Sequence, residues 1–356
     1  MQLSDFDYNL PEELIAQLPA DKRDNSKMLV LNSVDKAIEH KHFYDIVDLI
    51  DANSLLVLNN TKVLPARLYG TKPETGAKIE IFLLKQLDGK KWETLIKPSK
   101  RVKEGTLIKI SEELSAMALE RTEEDGGWVV ELIYDSDNVL EVLHRNGNIP
   151  LPPYIERKLQ NEGIKQLDFE RYQTVYAKDE GSVAAPTAGL HFTTEILDKL
   201  RAKGVEIAYV TLNVGLGTFR PVKCENILEH KMHAETFEVS AETAEVINKA
   251  KQAGKKIVAV GTTTVRTLET VYQKYGKVQA CRDESRLFIY PPYKFNVIDD
   301  LITNFHLPKS TLLMLVSALA GKEFIFKAYE EAIANKYRFF SYGDCMYIFK
   351  GTKLSL

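Results

Sequence analysis

Apolar residues occur in short unbroken runs near the start of this chain and in alternating patterns further on. Met28–Leu31 and Leu55–Leu58 are continuous apolar segments, which are typical of strands buried on both faces. Pro11–Gln17 opens with a proline and two acidic residues, which favour the first turn of a helix. The opening 66 residues therefore predict a short helix followed by buried strands.

The pattern changes between residues 67 and 150, where short alternating runs recur every ten to fifteen residues. These runs are Lys78–Leu84, Trp92–Lys97, Thr106–Ile110, Met117–Arg121 and Trp128–Tyr134. Turn-forming residues such as Asp88-Gly89 and Glu104-Gly105 separate them. Closely spaced strands of this kind predict a small antiparallel barrel or sandwich. A short helix over about 138–145 and a proline-rich stretch over 149–153 close the region.

Helices and strands alternate after residue 150. Thr193–Lys203 has the spacing of an amphipathic helix that stops at a glycine, and a predicted strand, Val205–Leu212, follows it. Ser240 is placed to cap a second helix before the strand Lys256–Val260, and a third helix runs from the next turn to Leu268. This order predicts a mixed or mostly parallel sheet flanked by helices, with the strand-rich region as an insertion.

Composition and charge narrow the function classes. The chain has 356 residues, of which 44% are hydrophobic and 27% are charged, as in a folded protein. Its net charge of −3 argues against a broadly basic nucleic-acid coat protein, but an RNA enzyme needs only a local basic patch. The turn holding Lys97, Lys100, Arg101 and Lys103 is such a patch, and a plain solvated turn explains it as well.

Targeting signals and metal-binding patterns are not evident. The longest apolar run, Leu312–Gly321, is too short for a bilayer span, and the N-terminus does not resemble a signal peptide. The three cysteines form no Cys-x-x-Cys pair, so we expect a reducing cytoplasm and no disulfides. His230 and His233 lie three residues apart without a third ligand nearby, so we expect no metal.

Two glycine-bearing turns follow predicted strands. Gly261-Thr262-Thr263-Thr264 lies where a strand ends and a helix begins, and free backbone N–H groups there favour an anion or a polar ligand edge. A simple connection capped by Thr264 is the alternative. Gly215 and Gly217, with Thr218, allow a ligand to approach the backbone closely, although a bulge or tight turn explains the glycines equally.

Two further loops contain histidine. Ala185–Phe192 is rich in small residues, and such a loop can enclose a flat ligand such as adenine with backbone hydrogen bonds and the face of Phe192. A close crossing of helix and strand explains it equally well. In Thr303–Pro308 the proline keeps His306 in a loop, and Ser310 or Thr311 then caps an apolar helix. His191 and His306 are the stronger acid–base candidates because both lie near glycine and threonine at strand ends.

Taken together, the motifs resemble the S-adenosylmethionine:tRNA ribosyltransferase-isomerases of queuosine biosynthesis. The matching segments are Tyr8–Gln17, Val57–Leu68, Tyr172–Ala177, Gly181–Thr193, Val210–Val222, Glu229–His233, Val260–Glu269, Thr303–Gly321 and the aromatic segment Tyr337–Asp344. The last of these fits base stacking or a core strand. Four positions depart from the family pattern: Asn213 replaces the usual histidine, Asn60 an aspartate, Lys27 an arginine and Pro292 a glycine.

The resemblance implies a fold, a reaction and a set of site residues. It implies a large α/β catalytic domain formed by residues 1–66 and 151–356, with residues 67–150 as an inserted β-barrel domain. The expected reaction moves and rearranges the ribosyl group of S-adenosylmethionine onto aminomethyl-deazaguanine at the tRNA wobble position, and it yields epoxyqueuosine, adenine and methionine. S-adenosylmethionine is then a cosubstrate, and no metal takes part.

We assign expected roles to residues on this basis. His191 and His306 are acid–base candidates, with Glu229 and His230 in reserve. The expected substrate-binding residues are Thr187, Gly189, Phe192, Gly215, Gly217, Thr218, Gly261, Thr262, Thr263, Arg266 and Asn304. Within that set, Arg266 and the turn at Gly261 are expected to hold a carboxylate such as the methionine end. Lys97, Lys100, Arg101 and Lys103 are the candidates for tRNA phosphate contacts.

Two alternatives of other classes stay open from the sequence. A transferase that uses S-adenosylmethionine on a free nucleoside would show no dependence on tRNA. A non-catalytic RNA-binding module would bind RNA without consuming S-adenosylmethionine. Release of adenine in the presence of precursor tRNA separates all three, and we expect the chain to be a monomer.

Overall fold

Runs of buried aliphatic residues form the strands at the centre of the fold. The computed structural model describes residues 1–157, 162–215, 222 and 224–350. The strands are β1 (Lys27–Asn32), β2 (Ile38–His42), β3 (Ser54–Asn59), β4 (Thr61–Val63), β5 (Arg67–Thr71), β6 (Lys78–Asp88), β7 (Lys91–Lys97), β8 (Leu107–Lys109), β9 (Ser115–Arg121), β10 (Gly127–Ile133), β11 (Asp179–Ser182), β12 (Glu206–Leu212), β13 (Glu235–Val239), β14 (Lys256–Val260), β15 (Cys281–Ser285), β16 (Asp300–Asn304) and β17 (Cys345–Phe349). The α-helices are α1 (Ile46–Leu49), α2 (Val139–Asn146), α3 (Glu162–Arg171), α4 (Thr194–Lys203), α5 (Ala241–Gln252), α6 (Thr262–Tyr275), α7 (Thr311–Ala320) and α8 (Lys322–Ala334).

Nine strands form one mixed sheet in the order β15-β13-β12-β3-β14-β16-β17-β1-β2. Strands β12, β3, β14 and β16 run parallel to one another, as do β17 and β1, whereas the remaining neighbours are antiparallel. Leu55–Leu58 is fully buried, as expected for a strand covered on both faces. The predicted strands Met28–Leu31, Leu55–Leu58, Val205–Leu212 and Lys256–Val260 are confirmed. The predicted α/β fold class is confirmed as well.

A second apolar core lies inside a small closed barrel. Its strands are antiparallel and follow the order β10-β7-β6-β5-β8-β9. Leu68, Ile81 and Val130 are among its fully buried residues. The alternating runs between residues 78 and 134 form β6 to β10, so the predicted antiparallel barrel is confirmed.

Three elements differ from the sequence expectations. The segment Pro11–Gln17 holds only a 3-10 turn at Glu12–Leu14, because the Ala16 N–H donates to the carbonyl of Phe339 and pulls the chain into an extended pairing. The predicted helix at residues 11–17 is therefore wrong. Helix α6 runs on to Tyr275, and α8, which was not predicted, follows α7 directly. No helix in the described part of the chain is long and apolar enough to cross a membrane.

Candidate active site

A cleft opens where the parallel strands of the large sheet end. Its wall is built from the segment after β12, the start of α6, the loop after β16, and the segments around residues 186 and 340. In open α/β sheets, ligands bind outside the carboxyl ends of the strands. We call this the strand-end cleft. Its lining residues are Tyr154, Ala185, Pro186, Thr187, Ala188, Val214, Gly261, Thr262, Thr263, Thr303, Asn304, Phe305, His306, Leu307, Ser310, Leu312, Phe340 and Ser341.

The start of α6 supplies backbone donors to this cleft. Gly261 has a φ of 84°, a left-handed conformation that favours glycine, and its N–H donates to the Ile302 carbonyl at 2.8 Å. The chain therefore leaves β14 sharply, and Thr262 and Thr263 lie in the first turn of the helix. First-turn N–H groups have no acceptor within their own helix and carry partial positive charge. This turn can bind a carboxylate or a phosphate.

Asn59 fixes the position of that turn, and its role was not predicted. Its side chain is fully buried at the end of β3. The Asn59 Nδ2 donates to Thr263 Oγ1 at 3.2 Å and to the Leu212 carbonyl at 3.0 Å, and Oδ1 accepts from the Leu212 N–H at 3.0 Å. One amide thus joins the ends of two strands to α6. The detectable signal was a polar residue directly after the apolar run Leu55–Leu58.

Asn304 and His191 form a buried hydrogen-bonded pair at the floor of the cleft. The Asn304 Nδ2 lies 3.2 Å from His191 Nε2 and also donates to the Phe340 carbonyl at 3.1 Å. The other ring nitrogen of His191, Nδ1, lies 2.8 Å from Ser26 Oγ. Burial lowers the pKa of His191 to about 3, so the ring is neutral near pH 7. His191 lies behind Asn304 and does not line the strand-end cleft.

His306, in contrast, is part of the cleft wall. Its backbone is held on both sides, because its N–H donates to Tyr329 Oη at 2.9 Å and its carbonyl accepts from the Tyr8 hydroxyl at 2.5 Å. The ring Nε2 lies 3.1 Å from Thr303 Oγ1. Burial lowers the pKa of His306 to about 3, so the ring enters any reaction in its proton-accepting form. As predicted, His306 lies in a loop, and Ser310 caps α7 through the Leu313 N–H.

The sequence compares clearly with known proteins. Residues 3–348 match the profile of a family described as queuosine biosynthesis protein. The chain belongs to this family. A solved crystal structure of an S-adenosylmethionine tRNA ribosyltransferase from Thermotoga maritima is 40% identical, with 97% of this chain and 100% of that chain covered and a TM-score of 0.55. The resemblance deduced from the motifs is therefore confirmed.

In this member of the queuosine biosynthesis family, three of the four predicted loops supply described residues to one cleft. Thr187, Gly261, Thr262, Thr263, Asn304 and His306 line it, and each was a predicted site residue. Tyr154 and Ser341 line it as well and were not predicted. The Tyr154 hydroxyl lies 2.6 Å from Ser341 Oγ, so these two residues join the proline-rich stretch to the segment before β17. The aromatic segment Tyr337–Asp344 thus supplies a wall of the cleft and precedes the terminal strand.

Other predicted site residues lie outside the cleft. Phe192 is fully buried and packs edge-on against Phe43, with the ring centroids 4.8 Å apart. Glu229 is exposed, and His230 packs against Phe288 with 5.4 Å between the ring centroids. Burial, together with His233, lowers the pKa of His230. The acid–base roles of Glu229 and His230 stay predictions, and Gly217 and Thr218 lie outside the described residues.

Arg266 is already paired inside the protein. Its Nη1 forms a buried ion pair with Glu235, and its Nε donates to the Leu287 carbonyl at 3.3 Å. The second oxygen of Glu235 accepts from the Gly215 N–H at 3.2 Å, so the pair also positions the chain after β12. Arg266 does not line the strand-end cleft. Its role as a carboxylate ligand stays a prediction.

The four predicted tRNA-binding residues lie together on the barrel. Lys97, Lys100, Arg101 and Lys103 are all exposed on the turn after β7, which we call the basic turn. Lys97 also lines a groove between the barrel and the segment Pro150–Pro153, with Val183 beside it, which we call the junction groove. The groove residues are Arg67, Glu80, Phe82, Leu95, Lys97, Pro150, Leu151, Pro152, Pro153 and Val183. Tyr154, directly after Pro153, and Ala185, two residues after Val183, line the strand-end cleft.

Gly189 is required by packing. A Cβ built on this residue would lie 2.1 Å from the Tyr176 hydroxyl and 2.8 Å from Thr174 Cγ2. We expect Gly189→Ala to lower the free energy of unfolding by about 1–3 kcal/mol, because the buried neighbours must move to relieve the overlap. Chemical denaturation measures the change. Gly215→Ala is the matched control, since the nearest heavy atom to its Cβ among the described residues is Glu235 Cγ at 4.0 Å. An equal loss in both variants would contradict the packing explanation.

Proposed function

We propose that this chain transfers and isomerises the ribosyl group of S-adenosylmethionine onto aminomethyl-deazaguanine at the wobble position of tRNA. The products are epoxyqueuosine in tRNA, adenine and methionine. Membership of the queuosine biosynthesis family and 40% identity to the Thermotoga maritima S-adenosylmethionine tRNA ribosyltransferase support this proposal. The observation that carries it to particular residues is the meeting of three predicted loops, those at Thr187, Gly261 and Asn304, around the strand-end cleft.

The cosubstrate occupies this cleft with its methionine carboxylate at the start of α6. The first-turn N–H groups of Thr262 and Thr263 provide the donors for that carboxylate. When His306 is neutral, the described lining of the strand-end cleft contains no charged side chain. The N-terminal end of α6 is then the main source of positive potential in that lining. Arg266 acts indirectly: its ion pair with Glu235 holds that carboxylate in place, and the carboxylate in turn holds the chain at Gly215.

His306 is the acid–base residue of the proposal. The reaction needs a base to remove a proton from the ribose carbon next to the sulfonium, whose positive charge makes that proton acidic. A neutral imidazole accepts the proton, and because burial disfavours the charged ring, it passes the proton on readily. Adenine is a better leaving group when protonated, so the same ring can assist its departure. His191 acts through Asn304 as a positioning residue.

The tRNA reaches the strand-end cleft along the junction groove. The wobble base lies in a single-stranded loop, so exposing it requires little unpairing. The phosphates next to it then lie against the basic turn, which borders the groove through Lys97. We also propose that residues 67–150 form an inserted unit whose role is to carry this turn. The closed barrel and its separate apolar core support that division.

Replacing all four residues of the basic turn with glutamine is expected to weaken tRNA binding. Each lost phosphate contact removes about 0.7 from the slope of log K against log salt for a single strand, so the slope falls by about 3 at most. Binding of precursor tRNA measured at several salt concentrations gives the slope. The matched control replaces Lys249, Lys251, Lys274 and Lys277, which are exposed on α5 and near the far end of α6. If both sets of substitutions reduce the salt slope of tRNA binding equally, the prediction is wrong.

Adenine release tests the proposed function directly. The protein is incubated with S-adenosylmethionine and tRNA that carries the aminomethyl-deazaguanine precursor, and free adenine is quantified by chromatography. We expect adenine to form only when both are present. Adenine formed equally without tRNA, or none with it, would contradict the proposal.

A further inference from the structure

Asn304 has one buried oxygen without a partner. The residue is only 3% exposed, and among the described residues none hydrogen-bonds its Oδ1. A buried carbonyl oxygen without a hydrogen bond costs about 1–3 kcal/mol, so such a group suggests a ligand that supplies the missing donor. Asn304 is one of the residues that line the strand-end cleft.

The orientation of the amide is fixed by its surroundings. Nδ2 faces two backbone carbonyls, those of Phe340 at 3.1 Å and Asp344 at 3.4 Å. Carbonyl oxygens only accept hydrogen bonds, so the NH₂ group must occupy this side of the amide. His191 Nε2, 3.2 Å away, is then an acceptor, and Nδ1 carries the proton toward Ser26 Oγ. The Ser26 hydroxyl in turn donates to the Arg23 carbonyl at 3.1 Å. This chain of bonds leaves Oδ1 as the one polar atom of the Asn304 amide without a partner among the described residues.

The surrounding wall selects the kind of donor. Phe305, Ala185 and Pro186 are buried apolar neighbours in the same lining, and the described lining offers no carboxylate to balance an ammonium group. A neutral N–H on a flat ring suits such a wall better than a charged amine. In S-adenosylmethionine that donor is the 6-amino group of adenine, and the ribose hydroxyls are the other neutral donors.

We propose that Asn304 Oδ1 accepts a hydrogen bond from the adenine 6-amino group and thereby selects adenine over 6-oxopurine. His191, fixed by Ser26, is the positioning residue that holds the amide in this orientation. The inference rests on the proposed function for the identity of the ligand. A 6-oxopurine presents an oxygen at the same place, so two acceptors would face each other without a proton between them.

The test compares S-adenosylmethionine with its deaminated 6-oxo analogue. We expect the wild-type protein to prefer the amino form by about 100-fold or more in kcat/KM, because the 6-oxo form leaves a buried acceptor unpaired. Calorimetric binding of the two compounds should show the same preference. In Asn304→Ala the preference should fall below about fivefold, since the selecting acceptor is gone.

His191→Leu provides a second variant that keeps Asn304. We expect it to lose part of the preference, mainly through KM for S-adenosylmethionine, while the pH profile of kcat stays unchanged because His191 transfers no proton. His191→Gln, which can still accept from the Asn304 amide, should restore much of the preference. If His191 had a merely structural role, its variants would lower kcat/KM for both compounds equally, and the ratio of the two values would stay at the wild-type value.

Several results would overturn this inference without touching the proposed function. A wild-type protein that releases adenine yet accepts both compounds equally would do so, and would indicate a ribose hydroxyl as the donor. A folded Asn304→Ala variant that keeps the wild-type ratio of kcat/KM for the two compounds would also overturn the inference. If Asn304→Ala does not fold, the wild-type ratio and the His191 variants decide. A wild-type protein that releases no adenine from S-adenosylmethionine and no hypoxanthine from the 6-oxo analogue with precursor tRNA would instead contradict the proposed function.

Discussion

Alanine in place of His306 is expected to lower kcat for adenine release by about 10²–10⁴-fold, the range typical of a lost acid–base group. His306 is the one predicted acid–base residue whose side chain lines the strand-end cleft within the described part of the chain. Steady-state assays with saturating S-adenosylmethionine and precursor tRNA measure the loss. His42→Ala is a suitable control, because this exposed histidine stacks on Tyr44 and does not line the cleft.

The pH dependence sharpens this prediction. The pKa of His306 is lowered to about 3, so the ring stays unprotonated as the pH falls from 8 to 5. We therefore expect His306 to produce no decline of kcat with an apparent pKa near 6.5. A decline there that His306→Asn abolishes would contradict the burial argument, and full activity of His306→Ala would contradict the assignment itself.

Removal of the Glu235 carboxylate is expected to cause the largest loss of stability. Glu235 and Arg266 are 3% and 4% exposed at their side chains, and Glu235→Ala leaves the guanidinium buried without its counter-charge. Breaking one side of a buried ion pair costs about 3–5 kcal/mol. Chemical denaturation of wild type and variant measures the difference.

The double variant Glu235→Leu with Arg266→Met gives the matched comparison. It removes both charges, so no unpaired ion stays buried, and we expect it to be more stable than Glu235→Ala. If Glu235→Ala and the double variant lose equal stability, the unpaired charge is not the cause. A loss below about 1 kcal/mol in Glu235→Ala, the size of a surface pair, would also contradict the argument.

Local patterns in the sequence predicted much of the fold. The alternating runs over 78–134 identified the barrel because side chains alternate between two faces in a strand, whereas a helix repeats every 3.6 residues. The predicted cap at Ser240 placed α5 correctly, since its side chain accepts from the Thr243 N–H, and the apolar spacing with the stop at Gly204 placed α4. The helix predicted at residues 11–17 failed because a long-range pairing with Phe339 competes with it, and a local pattern contains no information about that partner.

The candidate site was predictable in part, for the same reason. The ends of the parallel strands β14 and β16 meet at one sheet edge, so the gathering of Gly261 and Asn304 could be expected. Thr187 follows β11, which pairs with β4 outside the large sheet, so its place in the cleft could not. The sequence could not show that His306 lines the cleft and His191 does not, because both residues lie near strand ends in the sequence. Only the folded chain places His191 behind Asn304. Local sequence patterns also could not identify the partner of Arg266, because Glu235 lies on a different element, the strand β13.

Ribosyl transfer is tested most directly with S-adenosylmethionine that carries ¹³C in its ribose. After incubation with precursor tRNA, the tRNA is digested and its nucleosides are analysed by mass spectrometry. We expect the wobble nucleoside to gain the labelled five-carbon unit, with unlabelled adenine and methionine released in equal amounts. A tRNA nucleoside that gains an unlabelled methyl group instead, or tRNA free of ribose label after adenine release, would contradict the proposed reaction.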